Sequence, residues 1–155
     1  MTTSEVQLAY QAALACLTRR EYCEAELRAK LLQRGCDAIA IDVALERLKD
    51  YGYLSDVRYA EAFLRYRLKK GEALWLISSQ ARQKGVDEVA WTQALADVEE
   101  DYDAKQACLA VLRKRDPQQR WRSDIKMKQR QIRYLKNKGF DAATVMQALN
   151  DEGEA

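Results

Sequence analysis

Basic side chains are the residues of this sequence best placed to do chemistry, and they gather in two segments. Residues 58–84 carry seven basic and two acidic side chains, and residues 113–138 carry eleven basic and two acidic ones. The other segments are net acidic, so the 155-residue chain has a formal charge of only +2. Such segregation is typical of a surface that binds a polyanion or an acidic protein groove. The charged outer faces of long helices would give the same pattern, so charge alone leaves both interpretations open.

Catalytic chemistry has little support in the composition. Histidine is absent, which removes the commonest general base and the commonest metal ligand. The six glycines lie singly, so no glycine-rich phosphate-binding loop occurs. We therefore predict that the protein is not an enzyme and that it has no catalytic residue, no cofactor and no metal site.

The expected compartment follows from the cysteines and from hydropathy. The four cysteines form no Cys-x-x-Cys pair, and we interpret them as small apolar residues: Cys16, Cys23, Cys36 and Cys108. No run of about 18 apolar residues occurs, and no signal-peptide pattern is visible at the N-terminus. We expect a cytoplasmic protein without a membrane partner.

The elements that position the basic segments are predicted to be helices in a repeat. Good helix formers dominate, and Pro117 is the only proline. Three glycines, 50 and 54 residues apart, each follow a basic residue, precede an Asp by two positions and precede an Ala-Leu pair by nine and ten. The copies are centred on Gly35, Gly85 and Gly139. Such self-similarity indicates a repeat protein.

Each feature of the repeat has a physical role. Glycine ends a helix cheaply in the left-handed conformation, the Asp caps the next helix, and the Ala-Leu pair lies on its buried face. A further helix precedes each pair, at about 5–18, 56–70 and 101–115. The sequence therefore predicts an all-α protein of nine helices in three tandem three-helix repeats, with domains at residues 1–54, 55–99 and 100–155.

These repeats carry residues that resemble the RecX family along nearly the whole chain. The strongest segment resembles the central family motif, and it comprises Gly52, Tyr53, Leu54, Asp56, Arg58, Phe63, Arg67, Gly71, Ile77 and Gly85. The first repeat matches through Glu26-Leu27 and Lys30-Leu31, and the third more loosely through Arg133-Tyr134-Leu135. Two departures stand out. Ala73-Leu74 replaces the usual Gly-Pro, which is expected to change the start of a helix, and Cys23 replaces a Ser cap, which predicts a frayed helix start.

The resemblance implies a function in DNA recombination, repair and the SOS response. It implies an elongated, curved, modular regulator of the RecA recombinase that binds the RecA–single-stranded DNA filament. Such a protein is expected to inhibit strand exchange, ATP hydrolysis and LexA-type co-protease action. The resemblance implies no catalytic residue and no cofactor.

Helical geometry selects the residues expected to bind the filament or DNA. On a helix at 122–138, the apolar face is predicted to hold Ile125, Ile132 and Leu135, with the basic side chains on a separate strip. On the 56–70 helix, Tyr59, Ala60, Phe63 and Tyr66 are predicted to face inward, with the basic side chains opposite. The predicted binding residues are Arg58, Arg65, Lys69, Arg122, Lys126, Arg130 and Arg133. Binding through them should be salt-sensitive.

Other large side chains of these segments are assigned to packing. We expect Arg67 beside Phe63, in a partly buried ion pair or a stacked arrangement. The aromatic side chains of Tyr53, Tyr66, Trp75 and Trp121 could stack on bases, but helical spacing favours core packing.

Two other functions remain open at this stage. One is a free-standing DNA-binding protein with helix-turn-helix units, and the other is a helical scaffold without a nucleic-acid role. The helices after the three glycines begin with Asp and Ala, which disfavours base reading, and the basic strips disfavour a scaffold. We expect a monomer, because the cysteines are unpaired and no heptad seam is present.

Overall fold

The fold is all-helical throughout the part of the chain that is described. A computed structural model describes the backbone of residues 2–154 and the side chains of residues 2–151. Met1 and Ala155, the outer bounds of the first and third predicted repeats, lie outside these residues. The helices are α1 (Thr3–Leu17), α2 (Glu24–Gln33), α3 (Ala38–Asp50), α4 (Asp56–Lys69), α5 (Leu74–Gln83), α6 (Glu88–Glu99), α7 (Ala104–Arg115), α8 (Ile125–Asn137) and α9 (Ala142–Glu154). Among residues 2–154, none of them combines the length and the apolar character that crossing a membrane requires.

The predicted repeat is confirmed in its local geometry. Gly35, Gly85 and Gly139 all adopt positive φ after a helix, and the Asp two positions later caps the next helix in each copy. Gly139 is required for space as well, because a Cβ there would lie 2.8 Å from the Cβ of Leu76. Of the three Ala-Leu pairs, all are buried except Leu95, which is half-buried.

Three helix boundaries differ from the sequence prediction. The first helix begins at Thr3 rather than residue 5, because Thr2 and Glu5 form a reciprocal capping box. The seventh begins at Ala104 rather than 101, because Asp103 caps it. The eighth begins at Ile125 rather than 122. Its cap is Asp124, and the preceding Arg120–Arg122 form a separate 3₁₀ turn.

The helices form two compact units of opposite net charge. Unit 1 consists of residues Met1–Phe63 and Gln80–Asp97, and unit 2 of Leu64–Ser79 and Val98–Ala155. Unit 1 contains ten basic and thirteen acidic side chains, for a net charge of −3, whereas unit 2 contains sixteen and eleven, for +5. The second predicted repeat contributes to both units. The repeat boundaries at residues 54 and 99 stay a prediction.

One carboxylate at the start of α4 links two distant segments of unit 1. Asp56 accepts hydrogen bonds from the backbone N–H groups of Glu24 (2.8 Å) and Asp87 (3.0 Å), so it caps α2 across a sequence separation of 32 residues. The thiol of Cys23 forms no cap but is buried against the carbonyl of Lys84. The frayed start predicted for this helix is therefore wrong, because Asp56 supplies the acceptor that Cys23 lacks.

Unit 2 accommodates the Ala73-Leu74 departure through hydrogen bonds. The N–H of Ala73 donates to the carbonyl of Lys138 (2.8 Å), and the N–H of Leu74 donates to the hydroxyl of Tyr102 (3.2 Å). A proline at position 74 could not form the second bond. Helix α5 has ten residues, as α2 has, and the effect of the departure on its start stays a prediction.

Candidate functional site

Helix α8 presents an exposed basic strip. It buries Leu135 and Gln131 on its inner face, which leaves Lys126, Arg130 and Arg133 exposed on the outer one. We call these three residues the α8 strip. None of them forms an ion pair with any side chain among residues 2–151. Their charge is therefore available to an anionic partner.

The predictions for the start of this helix need correction. Arg122 is exposed, but it belongs to the 3₁₀ turn rather than to α8, and its guanidinium lies 5.6 Å from the ring centre of Trp121. Ile125, assigned to the apolar face, is 74% exposed. It occupies the first helical position, where the face that α8 buries has not yet begun.

Helix α4 carries two further exposed cations at its C-terminal end. Arg65 and Lys69 are exposed as predicted, and neither forms an ion pair with a described side chain. Tyr66 was predicted to face inward and is 60% exposed instead, with the Lys70 ammonium 5.0 Å from its ring centre. The inward positions on this part of the helix are taken by Leu64, which is buried, and Leu68, which is half-buried.

Arg67 differs from its neighbours, because it forms the predicted partly buried ion pair. Its guanidinium donates to both carboxylate oxygens of Glu72, through Nη2 to Oε1 at 2.9 Å and through Nε to Oε2. The two side chains are only 19% and 15% exposed. Arg67 therefore holds the turn after α4.

Arg58 lies in unit 1 and is already engaged with its own neighbourhood. Its guanidinium donates to the carbonyls of Gly52 (2.7 Å) and Tyr53 (3.1 Å) and to the carboxylate of Glu21 (3.2 Å). These bonds fix the turn between α3 and α4. Arg58 is exposed, but the structure supports a positioning role for it more than a binding role.

Core packing is confirmed for one of the four aromatic residues and wrong for the other three. Trp121 is buried, whereas Tyr53, Tyr66 and Trp75 are 52–60% exposed. Trp75 keeps its indole N–H bonded to the carbonyl of Gly139 although the residue is exposed. Tyr53 packs against Tyr51, with ring centres 6.3 Å apart. Periodicity missed these positions because they lie at helix ends and in turns.

A basic groove in unit 2 contains residues that the sequence analysis missed. It has a volume of about 490 Å³ and lies between the end of α4 and helix α7. Apolar and aromatic lining comes from Ala107, Ala110, Val111 and Tyr134. The charged lining residues are Lys69, Lys70, Lys114, Arg115 and one carboxylate, Glu72. The basic run at residues 113–115, at the end of a helix, was the signal available in the sequence. Unit 2 therefore carries two groups of basic residues, the groove and the α8 strip.

The functional groups of this surface are mainly ammonium and guanidinium groups. Among the described residues, no group of His, Cys, Asp and Glu side chains has an arrangement that could hold a metal ion. Lysine and arginine side chains donate hydrogen bonds and attract phosphates and carboxylates. The groove places apolar residues beside these cations.

Comparison with known proteins gives consistent matches along the chain. Models of the first, second and third three-helix domains of RecX match residues 9–48, 55–95 and 101–149. A curated relative from Syntrophotalea carbinolica, named regulatory protein RecX, is 33% identical over 147 residues, which cover 93% of this chain and 95% of that protein. A protein of the same name from Mannheimia succiniciproducens is 36% identical over 136 residues, covering 87% and 88%.

A solved structure supports the fold. The crystal structure of RecX from Lactobacillus salivarius matches with a TM-score of 0.77 and 18% sequence identity, and the match covers 99% of this chain and 100% of that one. At this identity the likeness concerns the helical architecture. It agrees with the tandem three-helix repeats described above.

Proposed function

Because this chain belongs to the RecX family of regulatory proteins, we propose that it modulates the RecA recombinase, mainly as an inhibitor. It binds the RecA–single-stranded DNA filament and suppresses ATP hydrolysis, strand exchange and co-protease action. It acts without catalysis of its own, as a cytoplasmic monomer. The partner is the RecA filament, with single-stranded DNA contacted directly or through the filament.

The observation that supports this proposal best is the unpaired charge of unit 2. Arg65, Lys69 and the α8 strip are exposed, and none forms an ion pair with a described side chain. Five unpaired cations within one unit repel one another, which costs stability unless an anion is bound. A filament offers such anions as DNA phosphates and as acidic side chains of successive protomers.

The expected strength of the electrostatic contribution can be estimated. Each cation that neutralises a phosphate of a single strand contributes about 0.7 to the slope of log affinity against log salt. If all five cations contact phosphates, the affinity should fall about 100-fold when salt rises from about 50 to about 200 mM. A contact limited to one or two cations would give a decrease of less than tenfold.

The direct test is the rate of ATP hydrolysis by RecA on single-stranded DNA, with and without this protein. The proposal predicts a decrease in rate that saturates with protein concentration and weakens as salt is raised. An unchanged rate, at concentrations where the protein is folded and monomeric by light scattering, would contradict it.

The alternative of a free-standing helix-turn-helix DNA-binding protein has less support. The helices that follow the glycine turns begin at Ala38, Glu88 and Ala142, and each is capped by an Asp carboxylate. Acidic caps repel phosphates, and short or acidic side chains there do not match the donor pattern of base edges. Sequence-specific binding to duplex DNA without RecA would favour this alternative.

A further inference from the structure

Three arginines from consecutive elements line a small pocket in unit 2, next to the basic groove, with which it shares Arg115. Arg115 ends α7, Arg120 begins the 3₁₀ turn and Arg130 lies on α8. The pocket has a volume of about 240 Å³, and its other lining residues are Asp116, Met127 and Gln131. The local sequence therefore brings three arginines to the lining of one concavity.

Arg115 is held in place by two neighbours. Its Nε donates to the side-chain oxygen of Gln131 (2.8 Å), and its guanidinium carbon lies 3.8 Å from the ring centre of Tyr134. Gln131 is itself 97% buried and bonded through its amide nitrogen to the sulfur of Met127 (3.3 Å). An arginine has five N–H donors, so four remain on Arg115. Because the fold already orders this side chain, binding of a ligand would cost little further side-chain entropy.

The carboxylate in the pocket wall has a structural task. Asp116 is 4% exposed, and its two oxygens accept hydrogen bonds from the backbone N–H groups of Arg120 (3.1 Å) and Trp121 (3.0 Å). These bonds shape the turn that places Arg120 beside the pocket. Against three arginines, one carboxylate leaves a net charge of +2 on the lining.

We propose that the pocket bounded by Arg115, Arg120 and Arg130 binds a single phosphate group. Guanidinium groups pair with phosphate oxygens through two parallel hydrogen bonds, and a pocket lined by three arginines and one carboxylate suits a dianion. Gln131 positions Arg115, and Asp116 positions Arg120. The site acts in the isolated protein and does not depend on RecA.

The phosphate has two possible sources, which share this chemistry. It is either a phosphate of a single-stranded nucleic acid or a small free phosphate compound. Both require the same three arginines, so the experiment is designed first to detect the phosphate site and then to separate the sources.

The first experiment measures the thermal unfolding of the protein in sodium phosphate and in sodium chloride of equal ionic strength. If phosphate is present at about 50 times its Kd, the melting temperature should rise by about 5 °C more than in chloride. Arg120→Gln and Arg130→Gln should each lose this difference. Lys136→Gln, at an exposed cation of α8 outside the pocket lining, is the control and should keep it.

General salting-out by phosphate is distinguished by the variants. Such an effect acts on the whole surface, so it would persist in Arg120→Gln and Arg130→Gln. If the phosphate-specific shift is equal in the parent and in these two variants, or absent from the parent, the proposal is wrong.

The second experiment separates the sources through binding of a fluorescent oligothymidylate to the isolated protein. If a strand phosphate occupies the pocket, inorganic phosphate should compete more strongly than chloride, and Arg120→Gln should lower the salt slope by about 0.7. If the phosphate-specific thermal shift is present but oligonucleotide binding is insensitive to phosphate, the ligand is a small free phosphate.

The RecA assay is run on the same variants, so that the two proposals fail separately. An absent phosphate shift with intact inhibition of RecA would contradict the pocket and leave the proposed function standing. A clear phosphate-specific shift in a protein that leaves the rate of RecA ATP hydrolysis unchanged would support the pocket and contradict the proposed function.

Discussion

Both units are helical, but several surface cations of unit 1 form ion pairs, whereas those of the α8 strip in unit 2 do not. In unit 1, Arg28 pairs with Asp42 (2.7 Å) and Lys49 with Glu24 (3.1 Å) and Glu46 (3.0 Å). In unit 2, the α8 strip has no acidic partner among the described side chains. Helix-surface charges that are paired at hand serve the fold, and charges left without partners are available for binding. Unit 1 also has unpaired exposed cations in Arg19 and Arg47, so we propose unit 2 as the binding unit because its net charge is +5, against −3 for unit 1.

The largest expected effect tests the structural role of unit 1. Asp56→Ala removes a carboxylate that accepts two backbone N–H groups. We expect the free energy of unfolding to fall by about 3 kcal/mol, because both donors lose a charged acceptor. Urea denaturation followed by circular dichroism measures it.

The control for this variant is Asp42→Ala in the same unit. Asp42 is 60% exposed and pairs only through its side chain with Arg28. Its removal should cost less than about 1 kcal/mol. Equal losses in the two variants would show that the double cap of Asp56 has no special importance for unit 1.

A second prediction compares an unpaired and a paired arginine on the same helix, α4. Arg67→Ala should lower the free energy of unfolding by about 2 kcal/mol, because it leaves the carboxylate of Glu72 half-buried without its bidentate partner. Arg65→Ala, two positions earlier and exposed, should change stability by under about 0.5 kcal/mol. Arg65→Ala should weaken inhibition of RecA nevertheless. If Arg65→Ala lowers the free energy of unfolding more than Arg67→Ala does, the distinction between paired and unpaired cations is wrong.

The smallest expected effect concerns the cysteines. Their burial is expected to be independent of the surface cations compared above. Burial raises the pKa of the Cys108 thiol in unit 2 to about 11 from an ordinary value of 9.0. An unfolded thiol ionises first as pH rises, so this group should lower the stability of the protein between about pH 9 and about pH 11. Burial also raises the pKa of Cys23 in unit 1.

Alkylation with iodoacetamide at pH 8, read by mass spectrometry, tests this prediction. Cys36 is half-buried and should react first, whereas Cys23 and Cys108 should react only on unfolding. Rapid modification of Cys108 in the folded protein would show that the core of unit 2 is more open than that of unit 1.

The repeat was predictable from the sequence because each of its parts has a local cause. Gly139 needs positive φ, and Asp141 caps the helix that follows, so their spacing alone defines the turn. The exposure of Lys126 and Arg130 followed from helical periodicity. These predictions depend on residues within about ten positions of one another.

The parts that could not be predicted depend on contacts distant in sequence. The cap that Asp56 supplies to α2 spans 32 residues, and the basic groove joins residues of α4 to residues of α7. Ile125 and Tyr66 were misplaced because periodicity assigns a face without showing where a neighbouring helix covers it. Helical spacing predicted that Arg58 is exposed, but its hydrogen bonds to two backbone carbonyls could be recognised only in the structure.

The central claim is that the unpaired cations of unit 2 bind the filament, and a pair of charge reversals tests it most directly. The first variant is Lys126→Glu with Arg130→Glu. The second is Arg19→Glu with Arg47→Glu, two exposed cations of unit 1 that form no ion pair with a described side chain. The measurement is inhibition of RecA ATP hydrolysis on single-stranded DNA at several salt concentrations, at equal melting temperatures. We predict that the first variant loses inhibition at least tenfold, with a salt slope lower by about 1.4, and that the second inhibits like the parent. A folded first variant that inhibits like the parent, or a second variant that loses as much, would contradict the account.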